Sequence, residues 1–132
     1  MITEDYVSFE TAKLLKEKGF DDEYTNAFYD KSGILYFIDI LSDFTEHHDN
    51  DTDIAASTLY VAMKWLREVH KIGVFPSTYA FAVGKNGSVK HVYGTAIINL
   101  ETYELMTNDL MPMPTYEEAA EAAIKYCLEN LI

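Results

Sequence analysis

The residues with the clearest capacity for chemistry lie in the stretch FTEHHDNDTD, which covers residues 44–53. It holds two histidines, one glutamate and three aspartates, and imidazole and carboxylate groups are common metal ligands in proteins. The aspartates at 49, 51 and 53 have the spacing of the first, third and fifth ligands of an EF-hand calcium loop. A metal-binding loop is therefore the first hypothesis that the sequence raises.

The loop lacks the residues that would complete either kind of metal site. An EF-hand needs glycine at its sixth position and a bidentate glutamate at its twelfth, where this chain has Ile54 and Tyr60. A structural zinc site takes four ligands, whereas His47 and His48 are adjacent and point apart on an extended segment. Aspartate and asparagine also favour turns. We therefore expect a solvated linker between a strand and a helix, with no metal and no cofactor.

Signatures of other catalytic sites are equally incomplete. Gly84 and Lys85 resemble the end of a phosphate-binding loop, but that motif needs a glycine where Tyr79 stands and a hydroxyl residue after the lysine. Cys127 and His70 each fall on the apolar stripe of a predicted helix, where such residues are usually part of the core. The sequence thus predicts no catalytic residue and favours a protein that is not an enzyme.

The charge of the chain excludes several partners. Twenty-two acidic residues against ten basic ones give a net charge of −12, and 14 of the acids lie in residues 1–53. Phosphate backbones and anionic membranes would be repelled, since no basic stripe offsets this charge. A basic protein partner is compatible with it. So is mimicry of a nucleic acid by the acidic first half, which stays open as an alternative function.

The size and the cysteine content indicate the compartment and the domain count. A chain of 132 residues is expected to form one domain over residues 1–132. One cysteine cannot form an internal disulfide, which fits a reducing compartment. The opening MITEDYVSFE is acidic without an apolar run, and no apolar run approaches the length of a membrane span. We expect a cytoplasmic protein.

Three helices are predicted from apolar periodicity and capping residues. Ser, Thr and Asp favour the N-cap, and glycine favours the position after the last turn. In the third helix, Thr115 and Glu118 have the spacing of a capping box. The predicted helices lie between Ser8 and Gly19, between Ser57 and Gly73, and from Thr115 to the end of the chain.

Strand patterns fill the intervals between these helices. YTNAFYD and ILYFIDIL flank a short turn at Gly33, and TYAFAVG and SVKHVYGTAIINL flank Asn86-Gly87, a strong hairpin signal. A short strand, YELM, follows. The resulting order is α-β-β-α-β-β-β-α, and hairpin-linked strands form antiparallel sheets. The predicted class is α+β, with three helices on one face of an antiparallel sheet of about five strands.

The predicted hairpin register places a candidate interaction surface on the sheet. A two-residue turn pairs Ala82 with His91 and Ala80 with Tyr93, so small residues face aromatic ones in a shallow depression. If the helices cover the other face, a strip of this face is exposed and would be buried by a second copy or by another partner. The candidate residues are Ala80, Ala82, His91, Tyr93, Thr95 and Ile97.

Three stretches of the chain resemble a known group of proteins. ITEDYVSFETAKLLKEKGF, AMKWLREVHKI and TYEEAAEAAIKYCLENLI are similar to segments of a family of small, acidic, uncharacterised proteins of Bacteroides-type bacteria and of their phages and mobile elements. The resemblance covers about half of the chain and implies a cytoplasmic location and a phage-linked role. It implies no activity, cofactor or site residue. The family differs at Ser57 and in the EHHDNDTD loop, so it lends the loop no functional support.

These observations favour a small non-enzymatic protein-interaction module, which binds another protein or a second copy of itself. One alternative is a small-molecule-binding or enzymatic domain that uses the depression near His91 and Tyr93. The other is the acidic nucleic-acid mimic. Direct binding of nucleic acid or membrane is not expected.

Overall fold

The structure is a computed structural model that describes residues 4–38, 53–83, 85–87, 89–107 and 112–132. Within these ranges the chain forms three helices and two three-stranded antiparallel sheets. It divides into two compact units, Met1–Thr58 and Leu59–Ile132. The elements are α1 (Phe9–Glu17), β1 (Ala27–Tyr29), β2 (Leu35–Phe37), β3 (Ile54–Ala55), α2 (Leu59–Val69), β4 (Ile72–Val83), β5 (Val89–Asn99), β6 (Leu105–Thr107) and α3 (Tyr116–Asn130).

The α+β class is confirmed, whereas the single sheet of about five strands is wrong. One sheet has the order β2-β1-β3 and the other has the order β4-β5-β6. The division has a local cause, because β3 returns to pair with β1 and completes the first sheet before α2 begins. That the whole chain is one domain stays a prediction.

The two ends of α1 are the ones that the sequence predicts. The Ser8 side chain accepts a hydrogen bond from the Thr11 N–H, at 3.3 Å, and so caps a free donor of the first turn. At the other end Gly19 has φ +98°, a left-handed conformation that glycine adopts without strain. The Phe20 N–H then donates to the Leu15 carbonyl at 2.9 Å, which closes the helix in a Schellman motif.

The first hairpin is confirmed, and Tyr29 fastens its sheet to the segment before α1. Strands β1 and β2 pair antiparallel around the predicted turn, where Gly33 has φ +81°. The Tyr29 hydroxyl donates a 2.6 Å hydrogen bond to the Val7 carbonyl, and its ring lies 5.4 Å from that of Phe9. A buried tyrosine thus supplies both apolar area and a satisfied polar group to the core of this unit.

Strand β3 lies in a segment that was expected to be a linker. Its residues pair antiparallel with β1, Ala55 opposite Phe28 and Ile54 opposite Tyr29. Two residues are too few to carry a period-two pattern, so this strand has no periodic signal in the sequence.

Helix α2 ends earlier than the sequence predicts. The expected helix runs to Gly73, but the last helical residue is Val69 and β4 begins at Ile72. Lys71 takes the left-handed conformation that ends the helix, with φ +56°, and Gly73 lies in the strand. The sequence predicts that Gly73 ends the helix. In the structure Gly73 lies in β4, where the absence of a side chain lets the Phe75 ring pack on the backbone.

The second hairpin has a different register from the predicted one. Val83 pairs with Val89, whereas a two-residue turn at Asn86-Gly87 would pair it with Lys90. Ala80 consequently pairs with Val92, and Ala82 with Lys90. A bulge between Thr78 and Ala80 shifts the register again towards the start of β4. Because side chains alternate between faces, a shift of one residue changes which residues lie opposite each other.

Helix α3 covers the face of the second sheet that was expected to be open. Ile97 is 0% exposed, and the Thr95 hydroxyl donates a 3.0 Å hydrogen bond to the carbonyl of Ala119 in α3. The predicted exposure of this face is therefore wrong at Thr95 and Ile97. Helix α2 packs against β4 and against α3.

The apolar stripe predicted for α3 is confirmed. Three alanines on it let the helix approach the sheet closely, and larger side chains fill the spaces between them. Within the described ranges no helix is long and apolar enough to cross a lipid bilayer. The buried residues of α3 are Ala119, Ala120, Ala123, Ile124, Cys127 and Leu128.

We predict that Ile97→Asp unfolds the second unit, whereas Ile98→Asp is tolerated. Adjacent strand residues point to opposite faces, and only Ile97 is fully buried under α3. A carboxylate without a partner in the core costs several kcal/mol, which is a large share of the stability of a domain. An aspartate at position 98 avoids most of that cost, because Ile98 is partly exposed. Urea unfolding followed by circular dichroism measures both variants. Equal stability of the two would contradict the assignment of the faces.

We predict that Cys127 makes the fold sensitive to alkaline pH. Burial raises the pKa of its thiol from 9.0 to about 12, so the folded state favours the neutral form. This contribution to stability is fully present below about pH 9 and is lost as the pH rises towards about 12. Between about pH 8 and about pH 10.5, the free energy of unfolding should therefore fall more for the wild type than for Cys127→Ala. Parallel pH profiles of the two proteins would contradict this.

Candidate functional site

Among the described residues, two titratable side chains depart from their ordinary pKa, and both are shifted towards the neutral form. The first is Tyr36, whose hydroxyl donates a hydrogen bond to the Asp53 carboxylate. Burial, then this hydrogen bond and the negative charges of Asp53 and Asp30, raise the pKa of Tyr36 to about 12. The phenol stays protonated at neutral pH and ties β2 to the residue before β3. Its role is structural, since a protonated phenol is a poor base.

The second shifted group is Cys127, which is buried in α3 with a raised pKa. A thiolate is the reactive form of cysteine, and burial disfavours it. Cys127 is therefore a core residue, in agreement with its place on the apolar stripe. Neither shifted group supplies a nucleophile.

The metal hypothesis concerns residues that lie almost entirely outside the described ranges. Of FTEHHDNDTD, the structure describes Asp53 alone, and its carboxylate accepts the hydrogen bond from Tyr36. Across residues 4–38, 53–83, 85–87, 89–107 and 112–132, no group of three or more His, Cys, Asp or Glu side chains is placed to hold a metal ion. The absence of a metal site in the loop stays a prediction.

His70 lies just after α2, where it packs against an aromatic ring. Its ring centroid is 4.6 Å from that of Trp65, in an edge-to-face arrangement. Its Nε2 is buried and makes no hydrogen bond within the described part of the chain. His70 is half-buried rather than fully buried, so the expected core position is only partly correct.

The six residues of the predicted interaction surface are not brought together as an exposed strip. Tyr93 is half-buried and lies edge-to-face with Tyr116, with ring centroids 6.5 Å apart. Thr95 and Ile97 face α3. The side chains of Ala80, Ala82 and His91 lie outside the described residues, but the observed register does not pair Ala80 with Tyr93 or Ala82 with His91. The predicted depression lacks its expected pairing, and a binding role for the strip stays a prediction.

A different set of residues is exposed on the opposite face of this sheet. Phe75 pairs with Ala96, and Leu105 pairs with Ile98, so Phe75, Ile98 and Leu105 point to the face away from Ile97. Phe75 is 48% exposed and Leu105 is 54% exposed, and Ile98 between them is half-buried. We call these three residues the open-face cluster. They form a row across β4, β5 and β6.

The Phe75 ring of the open-face cluster packs closely against Gly73. A Cβ atom added at Gly73 would lie 2.5 Å from Cε2 of Phe75 and 2.9 Å from Cδ2 of Leu100. The Phe75 ring thus lies directly on the backbone of its own strand, where no larger residue would fit. This contact holds the Phe75 ring in one position while about half of the residue stays exposed to solvent. The ring is therefore an ordered apolar surface that a partner could contact.

Strained backbone conformations occur at the Gly73 end of the second sheet. Among the described residues, the non-glycine residues with positive φ are Lys71, at 56°, and Tyr103, at 62°. Lys71 precedes β4, and its carbonyl accepts a 2.8 Å hydrogen bond from the Leu100 N–H. Tyr103 lies in the turn before β6 and is 81% exposed. Strained backbone often marks a functional site, because a less strained residue would otherwise be favoured.

The turn that precedes Leu105 carries acidic residues. Glu101 and Glu104 lie in the turn between β5 and β6 and are exposed. The side chain of Asn99 holds this turn by accepting hydrogen bonds from the N–H groups of Glu101 and Thr102. Together with the net charge of −12, these carboxylates favour a partner with basic residues around an apolar centre.

Sequence reasoning missed the open-face cluster because it placed the start of β4 too late. The predicted strand TYAFAVG begins at Thr78, whereas β4 begins at Ile72. Proline is tolerated in an edge strand, and β4 lies at the edge of its sheet. The apolar run that precedes Pro76 was the signal for an earlier strand.

Comparison with known proteins gives no relative from which a function could be transferred. No protein family, no curated protein and no solved structure matches this chain. The resemblance of the helical stretches to a family of small acidic proteins therefore stays a prediction.

Proposed function

We propose that this chain is a non-enzymatic protein-interaction module that binds its partner through the open-face cluster. One observation carries the proposal. Phe75 and Leu105 are each about half exposed on a sheet face that lies opposite the helix-covered one. Large apolar side chains grouped on one surface generally mark a contact site rather than ordinary solvent-facing surface.

The energetics of burial support a protein partner. Full burial of a Phe or Leu side chain contributes about 1.5–3 kcal/mol, so covering the exposed halves of Phe75 and Leu105 contributes about half of that for each. Such residues form the centre of many protein interfaces, with a polar border around them. An open antiparallel sheet face suits a protein surface better than a small molecule, because small-molecule sites are concave.

The charge of the border indicates the chemistry of the partner. Glu101 and Glu104 are exposed in the turn that precedes Leu105, and the whole chain carries a net charge of −12. A partner with lysine or arginine residues around an apolar patch would be attracted to this surface and oriented on it. An acidic partner or a phosphate backbone would be repelled.

We predict that Leu105→Asp abolishes capture of the partner without unfolding the chain. The change places a charge in the centre of the proposed interface, and Leu105 is exposed enough to accept it in the free protein. Immobilised wild-type and variant proteins are incubated with a lysate of the source organism, and the retained proteins are compared by mass spectrometry. The wild type should retain a basic protein at least tenfold more strongly than the variant.

The matched control is Ile34→Asp, which adds the same charge at a residue that is 61% exposed in the first unit. This control should retain the partner as the wild type does. Equal retention by all three proteins, or equal loss in both variants, would contradict a role of the open-face cluster.

We predict that Tyr103→Gly increases stability and weakens capture. Glycine adopts the left-handed conformation of residue 103 without strain, and the gain is about 1 kcal/mol in the free energy of unfolding. The lost ring is 81% exposed at the border of the cluster, so its loss removes contact area from the complex alone. Urea unfolding measures the first effect and the capture assay measures the second.

Lys71→Gly is the control for this prediction. It relieves the same kind of strain, at φ +56°, but removes no aromatic ring. It should raise stability without weakening capture of a basic partner. A Tyr103→Gly protein that is stabilised but captures normally would place residue 103 outside the interface.

A further inference from the structure

The long edge strand β4 has a proline and a bulge, which limit pairing at its outer side, but it has no charged residue. It is at one end of the order β4-β5-β6, and no other described strand pairs with its outer side. Natural proteins usually protect such an edge with charged residues, which discourage pairing with another chain. The twelve residues of β4, IGVFPSTYAFAV, include no charged residue.

The hydrogen bonds of β5 show which backbone groups of β4 face outward. Tyr93 exchanges two 2.8 Å hydrogen bonds with Met113, and the Asn99 N–H donates to the Glu104 carbonyl at 2.9 Å. The odd-numbered residues of β5 therefore direct their backbone groups away from β4. In an antiparallel pair, their partners in β4 then direct their own groups to the free edge. By register these partners are Ile72, Val74, Pro76 and Thr78.

The exposure of side chains shows that this edge reaches solvent. Phe75 and Ser77 lie on the open face, and Thr78 lies on the other face, yet all three are exposed. Consecutive exposure on both faces is expected where nothing covers the edge of a sheet. The exposed side chains lie between Phe75 and Thr78, whereas Ile72 is buried on the helix-covered face; the regular backbone of β4 runs from Ile72 to the bulge after Thr78.

We propose that β4 pairs antiparallel with β4 of a second copy of this chain, about a two-fold axis at Phe75. Outward-facing residues must pair with outward-facing residues, and Phe75 is the centre of the regular segment Ile72–Thr78. This pairing places Val74 opposite Pro76 and Ile72 opposite Thr78 of the other copy. The two sheets then form one continuous antiparallel sheet.

The chemistry of β4 favours a second copy over an unrelated strand. In a symmetric antiparallel pair, the residue on the axis meets its own copy, so a charged residue there would face a like charge. β4 has none. At the axis, the two Phe75 rings lie in a non-hydrogen-bonded pair, where side chains approach closely and aromatic pairs are favourable. Each copy gives up one hydrogen bond, since Pro76 has no N–H to donate.

This inference goes beyond the proposed function, because it concerns the edge of β4 and a second copy instead of the sheet face and another protein. The two share Phe75 and differ at Leu105. Leu105 lies on β6, at the opposite edge of the sheet, so it contributes to the open-face cluster and not to the β4 pairing.

Disulfide cross-linking tests the pairing and its register. In a non-hydrogen-bonded pair the two Cα atoms at residue 75 lie about 4.5 Å apart, within the range of a disulfide. Residue 77 lies opposite residue 73 of the other copy, so two cysteines at 77 are about 13 Å apart and cannot bond. The variants are Phe75→Cys and, as matched control, Ser77→Cys. The wild-type chain is the negative control: it should form no disulfide-linked dimer, because its Cys127 is buried.

We expect light scattering of the wild type to give a mass of twice 15.1 kDa, the mass of a dimer. We also expect the disulfide-linked dimer to form at least tenfold faster with Phe75→Cys than with Ser77→Cys. A wild type that is monomeric at about 100 µM overturns the proposal, because a specific dimer has a dissociation constant below that concentration. Cross-linking that is equal at the two positions, or faster at Ser77, overturns it as well.

A second pair of variants keeps this result separate from the proposed function. Phe75→Lys places two like charges at the axis and should reduce dimer affinity at least tenfold, whereas Leu105→Lys should leave it unchanged. If Leu105→Lys dissociates the dimer as strongly as Phe75→Lys, the second copy binds through the sheet face and the β4 pairing is wrong. Should the chain be monomeric while Leu105→Asp still abolishes capture, only the inference of self-pairing fails.

Discussion

The packing of α3 against β5 decides which surface of the second unit is available. The Thr95 hydroxyl donates to the Ala119 carbonyl in the first turn of α3, and Ile97 is fully buried beneath the helix. Small residues on α3 allow this close approach. Once this face is covered, the sheet has one face left, and the large apolar side chains that point there include Phe75, Ile98 and Leu105.

The parts of the fold that could be predicted are those with local causes. Ser8 caps α1 because its hydroxyl reaches an N–H three residues later, and Thr115 does the same for α3. Gly19 ends α1 because glycine adopts a left-handed conformation without strain. Each of these interactions lies within a few residues of the chain, so the sequence alone contains the information.

The parts that could not be predicted depend on contacts distant in the chain. Asn86-Gly87 favours a two-residue turn, but Val83 lies opposite Val89 instead of Lys90, and a bulge beyond Thr78 shifts the register further. Lys71 adopts the left-handed conformation that Gly73 was expected to supply, because Gly73 is needed under the ring of Phe75. These shifts changed the partners across the hairpin. The candidate surface was consequently placed on the wrong face of the sheet at Thr95 and Ile97.

The two edges of the second sheet are unequal, and this inequality has a consequence for assembly. β4 has twelve residues, whereas β6 at the other edge has three and is followed by the Tyr93–Met113 bridge. A strand can therefore be added along one edge only. Fibres grow when each added chain presents a new edge equal to the one it has used. In the proposed β4 pairing, the first addition would occupy the twelve-residue edge of both copies, so growth would stop at a closed dimer and would not continue as a filament.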